Sequence, residues 1–80
     1  MKVPRDLSGR RLVGCLCRRW DYRQTHQVGS HIALETETPT HQRIAVPDHK
    51  SINIGTLTGI LRAVAAHKGV SRDDILESLD

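Results

Sequence analysis

Residues 27–36 read Gln27-Val28-Gly29-Ser30-His31-Ile32-Ala33-Leu34-Glu35-Thr36, and the fold follows from how this stretch is read. From His31 to Thr36 the apolar Ile32 and Leu34 alternate with their neighbours, the period of two that marks a strand with one buried face. Gly29-Ser30 ahead of it fits a tight reversal, so the polar run from Tyr22 to Val28 reads as an edge strand folded back along it. On the other side Glu37-Thr38-Pro39-Thr40-His41 breaks the alternation, since Pro39 has no N–H to give to a ladder. Gln42-Arg43-Ile44-Ala45-Val46 resumes it with Ile44 and Val46 on the buried side, until Pro47 stops it. The three runs make an antiparallel meander.

Helical patterns flank the meander. Leu12, Leu16 and Trp20, with Val13 and Cys17, recur at helical spacing while Arg10, Arg11 and Arg18 fall opposite, which predicts an amphipathic helix over residues 9–20 capped by Ser8. Beyond the sheet, Asn53 can cap a second helix whose buried stripe is Leu57, Ile60, Leu61 and Val64, with Gly59 outside and Gly69 as the left-handed residue that ends it. Ser71-Arg72-Asp73-Asp74 is a capping box for a short third helix, stapled by Val70 and Ile75, with Ile75, Leu76 and Leu79 on its apolar side. The order is α+β, with helices gathered on one face of a small three-stranded antiparallel sheet. At 80 residues the chain is one domain, too short for a two-domain enzyme. It divides into an N-terminal arm over 1–7, a core over 8–69 and the short C-terminal helix over 70–80.

Parity along the strands then places side chains. If Ile32, Leu34, Ile44 and Val46 point at the helices, His31, Ala33, Glu35, Arg43 and Ala45 point away from them. His31 is thereby expected on the uncovered face, at the end of the sheet beside the Gly29-Ser30 turn.

Composition narrows the classes. Hydrophobic residues make up 38% of the chain and aromatics 2%, with no Phe, enough for folding around a thin aliphatic core. The longest apolar run, Ala63 to Ala66, is far short of the ~20 residues that span a bilayer. The polar start Met1-Lys2-Val3-Pro4-Arg5-Asp6 lacks the apolar centre of a secretion signal, so a cytoplasmic chain without membrane contact is expected. Cys15 and Cys17 would point about 200° apart on a helix, which fits neither a disulfide nor a shared metal. Among five histidines and two cysteines no chelating pair occurs, and no Gly-x-Gly-x-x-Gly or Walker sequence exists, so neither a metal nor a nucleotide cofactor is expected. Basic residues crowd the front, at Lys2, Arg5, Arg10, Arg11, Arg18, Arg19 and Arg23, while Asp73, Asp74, Glu77 and Asp80 make the tail acidic. An Arg-rich surplus and a pI near 9.3 suit phosphate contacts and a solvated helix surface about equally.

Four strings occur in one order: Gln27-Val28-Gly29-Ser30-His31, Val46-Pro47-Asp48-His49, Gly55-Thr56-Leu57 with Ile60-Leu61-Arg62, and Gly69-Val70-Ser71-Arg72-Asp73-Asp74-Ile75-Leu76. Together, from about Ser8 to Leu79, they resemble the HicA family of toxin ribonucleases. The resemblance implies a fold like that of double-stranded RNA-binding domains, cleavage of messenger RNA that inhibits translation and growth, and a HicB-type antitoxin partner. It implies that the histidine after Gly-Ser, here His31, is catalytic.

RNA carries its own nucleophile, the 2′-hydroxyl. Scission therefore needs a base for that proton, an acid for the departing 5′-oxygen and positive charge near the phosphate oxygens, and a metal is optional. An imidazole, ordinarily titrating at about 6.5, can act as either acid or base at neutral pH. His31 is the expected catalytic residue; His26 is a candidate second partner across the turn, and Arg23, Arg43 and Lys50 are candidates for holding RNA. Read from residues alone, His31 could instead be a strand-end imidazole that bonds the turn, His26 an exposed strand residue and His41 part of the Pro39 turn, while for His49 a loop-stabilising hydrogen bond and substrate contact fit equally well. Ser30 and His31 point apart on a strand and do not make a hydrolase pair. Gly55-Thr56 could offer free amides to a phosphate or mark close packing against Pro47. Two other classes remain: a non-catalytic RNA-binding module gripping backbone by shape, and a protein-interaction domain docking an acidic partner.

Overall fold

The Ser8 hydroxyl accepts the Arg11 N–H at 3.1 Å, and helix α1 (Gly9–Arg19) starts there. In the computed structural model, which describes residues 2–79, it is followed by β1 (Arg23–Val28), β2 (His31–Thr36), β3 (Gln42–Pro47), α2 (Ile54–Lys68) and α3 (Arg72–Glu77). Met1 and Asp80, the ends of the arm and of the acidic tail, lie outside the described residues. The sheet runs in the order β1-β2-β3 with both pairings antiparallel. This is the α+β arrangement expected.

Each boundary has a local cause. Gly29 turns the first hairpin at φ 56°, at the first position of a two-residue loop, where a side chain would be strained. Asn53 Oδ1 accepts from the backbone N–H groups of Gly55 and Thr56 and opens α2; Gly69, at φ 69°, closes it. Ser71 and Asp74 make the reciprocal capping box. Pro47, expected to stop β3, is its last residue and pairs with His31, which an edge strand tolerates because it has no further neighbour to bond.

Ile32, Leu34 and Val46 are wholly buried against Leu12, Leu16, Leu57, Leu61 and Val64, so the helices cover the sheet face that parity assigned to them. Leu7 from the arm and Ile75 and Leu76 from α3 join the same cluster. Cys15 is more buried than Cys17, with its sulfur 3.1 Å from Ser78 Oγ, and both thiols are free. Among the described residues no helix is long and apolar enough to cross a membrane.

Tyr22, read from sequence as the start of the edge strand, is instead a core residue just before β1, 4% exposed. Its hydroxyl donates to Gln42 Oε1, and Lys68 Nζ lies 4.7 Å from its ring centre. Burial pushes the phenol up to about 12. An unfolded tyrosine ionises at about 10, so above that pH the folded chain keeps a proton that the unfolded chain loses. Stability from this group is therefore intact below about pH 10 and falls as pH climbs towards about 12. Tyr22 is the only tyrosine, so an absorbance titration should show one late phenolate step. A step at the ordinary phenol pH in folded protein would contradict this burial.

Candidate active site

The open face of the sheet is organised in cross-strand rows. Val28, His31 and Pro47 form one, His26, Ala33 and Ala45 the next, and Arg23, Glu35 and Arg43 the third. Between the second and third rows the pairing jumps from His26↔Ala33 to Gln24↔Leu34, so Thr25 is an extra, bulged residue. Strict alternation would have set Gln24 opposite Glu35. The bulge puts Arg23 there instead.

His31 is exposed on this face, as parity required. Among the described residues no hydrogen bond or ion pair engages its ring. The strand-end alternative, an imidazole bonded to the turn, is not what the fold contains: Gln27 Nε2 donates to Gly29 O at 3.1 Å and serves the turn itself. Two shallow depressions meet at His31 and Ala45. One, of about 270 Å³, is lined by His26, His31 and Arg43 and by the apolar Val28, Ala33, Ile44 and Ala45. The other, of about 250 Å³, is lined by His31, Ala45, Pro47, His49, Asn53 and Thr56.

The segment carrying His49 is held by long-range contacts. Arg10 makes a two-point contact with Asp48, Nε to Oδ1 at 3.1 Å and a terminal nitrogen to Oδ2 at 2.8 Å, and Gln27 Nε2 reaches Oδ2 at 3.3 Å. The hydrogen bonds from Arg10 hold the Asp48 carboxyl below its ordinary range, and the carboxylate in turn raises the guanidinium. The Asp48 N–H donates to Ser30 O at 2.6 Å, and the Gly9 N–H donates to His49 O at 2.9 Å. Thus Gln27 of the first string and Asp48 of the second are joined through Arg10 from α1, and the turn before His31 is tied to the loop before His49.

Of the residues proposed from sequence, the fold brings His31, His26 and Arg43 to one depression. Arg23 lies on the same face but in the far row, where its guanidinium meets Glu37 Oε2 at 3.0 Å. Lys50 is exposed in the β3–α2 connection and lines neither depression. His49, for which the sequence leaves a loop hydrogen bond and substrate contact equally open, has no ring hydrogen bond among the described residues and lines a depression with His31. A signal was available: antiparallel neighbours place the start of β2 beside the end of β3, so residues just past Pro47 had to approach His31. Gly55 and Thr56 do not present free amides, because Asn53 Oδ1 takes both at 2.9 and 3.4 Å. The glycine packed against Pro47 is Gly9, not Gly55: a Cβ on Gly9 would lie 1.9 Å from Pro47 O.

A further cluster escaped the sequence reading. Glu35, Glu37 and His41 place three potential metal ligands within 4.8 Å of one another. His41 Nδ1 faces Glu37 at 3.1 Å and Nε2 faces Glu35 at 3.6 Å, so the ring lies between the carboxylates, and Arg23 also holds Glu37. Hydrogen bonds from His41 and then Arg23 keep the Glu37 carboxyl below its ordinary range. The group is a hydrogen-bonded network joined to the Arg23–Glu37 ion pair, at the end of the sheet away from His31.

No family model matches the chain, and neither a curated protein nor a solved structure matches it.

Proposed function

We propose that this chain is an endoribonuclease that cuts single-stranded messenger RNA without a metal, the toxin of a HicA-type toxin–antitoxin pair, acting in the cytoplasm and restrained by a HicB-type antitoxin. One observation carries the reading: the His31 imidazole is exposed on the open sheet face, unengaged, where two depressions meet. A ring in that position can approach a polynucleotide lying across the strands. Arg43, exposed beside the larger depression, supplies positive charge for the backbone.

In the reaction a base removes the 2′-hydroxyl proton while that oxygen bonds to phosphorus. The bond from phosphorus to the 5′-oxygen then breaks, and an acid protonates the leaving oxygen. His31 performs one of these transfers. The products are a 2′,3′-cyclic phosphate and a 5′-hydroxyl. Incubating the chain with an unstructured RNA in chelator should yield those ends, and a 2′-deoxy residue at the scissile position should block cutting there. Ends bearing a 5′-phosphate, or cutting that persists at the deoxy position, would overturn the reading.

A further inference from the structure

The proposed reaction needs two proton transfers and His31 accounts for one. We infer that His49 performs the other, with the scissile phosphate lying in the depression of about 250 Å³ between the two rings; the inference rests on the ribonuclease reading of His31.

The residues that precede the two imidazoles are joined directly. Asp48 N donates to Ser30 O at 2.6 Å, so the backbone entering His49 is tied to the backbone entering His31. The loop is held again by Gly9 N on His49 O at 2.9 Å and by Arg10 on the Asp48 carboxylate. A proton-transfer group has to be positioned near the reacting atoms and keep a ring nitrogen available to them. His49 meets both conditions: its carbonyl is engaged, and its ring is exposed with no hydrogen bond among the described residues. Asn53 and Thr56 bring polar side chains to the same depression.

His26 is the competing candidate and is placed differently. It pairs with Ala33, in the row beyond His31, and the depression it shares with His31 is lined otherwise by Val28, Ala33, Ile44 and Ala45, with Arg43. This mainly apolar lining suits the sugar and base of a neighbouring nucleotide better than the phosphate being cut. RNA would then cross the open face from the His26 and Arg43 side, over His31, to the His49 side.

With one ring neutral and the other protonated, the neutral ring gains the 2′-hydroxyl proton as the new bond to phosphorus forms. The protonated ring gives its proton to the 5′-oxygen as the old bond breaks. Such a pair produces a bell-shaped dependence of kcat on pH. The test measures wild type and the His31→Ala, His49→Ala, His49→Gln and His26→Ala variants on one unstructured RNA in chelator across pH. His49→Ala and His49→Gln should each lower kcat by about 10²-fold or more, with little change in KM or thermal midpoint, and lose one limb of the bell. His26→Ala should keep both limbs. An RNA with sulfur in place of the bridging 5′-oxygen needs no acid, so it should rescue whichever histidine variant lacks the acid and not the other. If the His49 variants cut nearly as well as wild type, lose rate only through KM, or keep both limbs, His49 is not the second group. Loss of cutting in His31→Ala alone would then leave the ribonuclease reading standing. Full cutting by His31→Ala, or none by wild type, ends both.

Discussion

Replacing His31 with alanine is expected to lower RNA cleavage by about 10²- to 10⁴-fold, the usual worth of a positioned proton-transfer group, and to leave the thermal midpoint unmoved. The two halves of that expectation have separate grounds. Loss of rate follows if the ring moves a proton in the reaction. Unchanged stability follows from its exposure: large destabilisation comes from cavities, orphaned buried polar atoms or lost caps, and an exposed ring without hydrogen bonds among the described residues supplies none of these. Single-turnover cleavage in chelator and thermal unfolding monitored by circular dichroism measure the two halves. A His31→Ala protein that cuts at the wild-type rate removes His31 from the chemistry. One that loses cutting and several degrees of stability together would show that the ring supports the fold, contrary to its placement.

The second large effect is on stability. Gly9→Ala puts a methyl group 1.9 Å from Pro47 O, 2.9 Å from Pro47 C and 3.1 Å from Asp48 Cα, all backbone atoms that cannot swing aside. Glycine to alanine inside a helix ordinarily gains about 0.5–1 kcal/mol. Here overpacking opposes it, at about 1–3 kcal/mol or somewhat more, and a net loss of a kcal/mol moves the midpoint of a domain this size by about 4–8 °C. Gly59→Ala is the matched comparison, since a Cβ there meets no atom within 4 Å; it should be neutral or stabilising. Because Gly9 N also bonds His49 O, the Gly9 variant should lose cleavage as well, through displacement of the loop. A Gly9→Ala protein as stable as the Gly59→Ala protein would mean that α1 and β3 do not approach in this way.

Much of this was readable from local pattern. Alternation at Ile32, Leu34 and Val46 assigned the buried face and so exposed His31, and the caps at Ser8, Asn53 and Ser71 set the helix starts and Gly69 the end of α2, while the third helix, expected over 70–80, stops at Glu77. Those signals act between near neighbours, where spacing in sequence is spacing in space. What escaped was made by distant partners. Arg10 meets Asp48 across 38 positions, and nothing near Arg10 marks it as a brace rather than a solvated cation. Lys68 Nζ bonds Thr36 Oγ1 at 2.9 Å and Thr38 O at 2.7 Å, tying α2 to the β2–β3 connection, again with no local signature. Gly9 reads as a helix start of ordinary kind until the end of β3 is laid over it. Thr25 is subtler: a bulge changes parity midway along a strand too polar to reveal the change, so Arg23's face could not be read by counting back from Val28. The nearness of His49 to His31 follows from the antiparallel pairing of β2 with β3 and not from any local pattern around His49.

The bulge bears on how the molecule keeps company with its own copies. Every residue of β1 is exposed, and among the described residues its outer backbone edge has no neighbouring strand in the sheet. Such an edge invites a second chain to extend the ladder, the first step towards aggregates. The extra residue at Thr25 kinks and twists that rail, and Arg23 and the polar Gln24 and His26 border the kink. An edge that cannot be matched straight along its length is a poor template for a second copy and helps the chain remain dispersed.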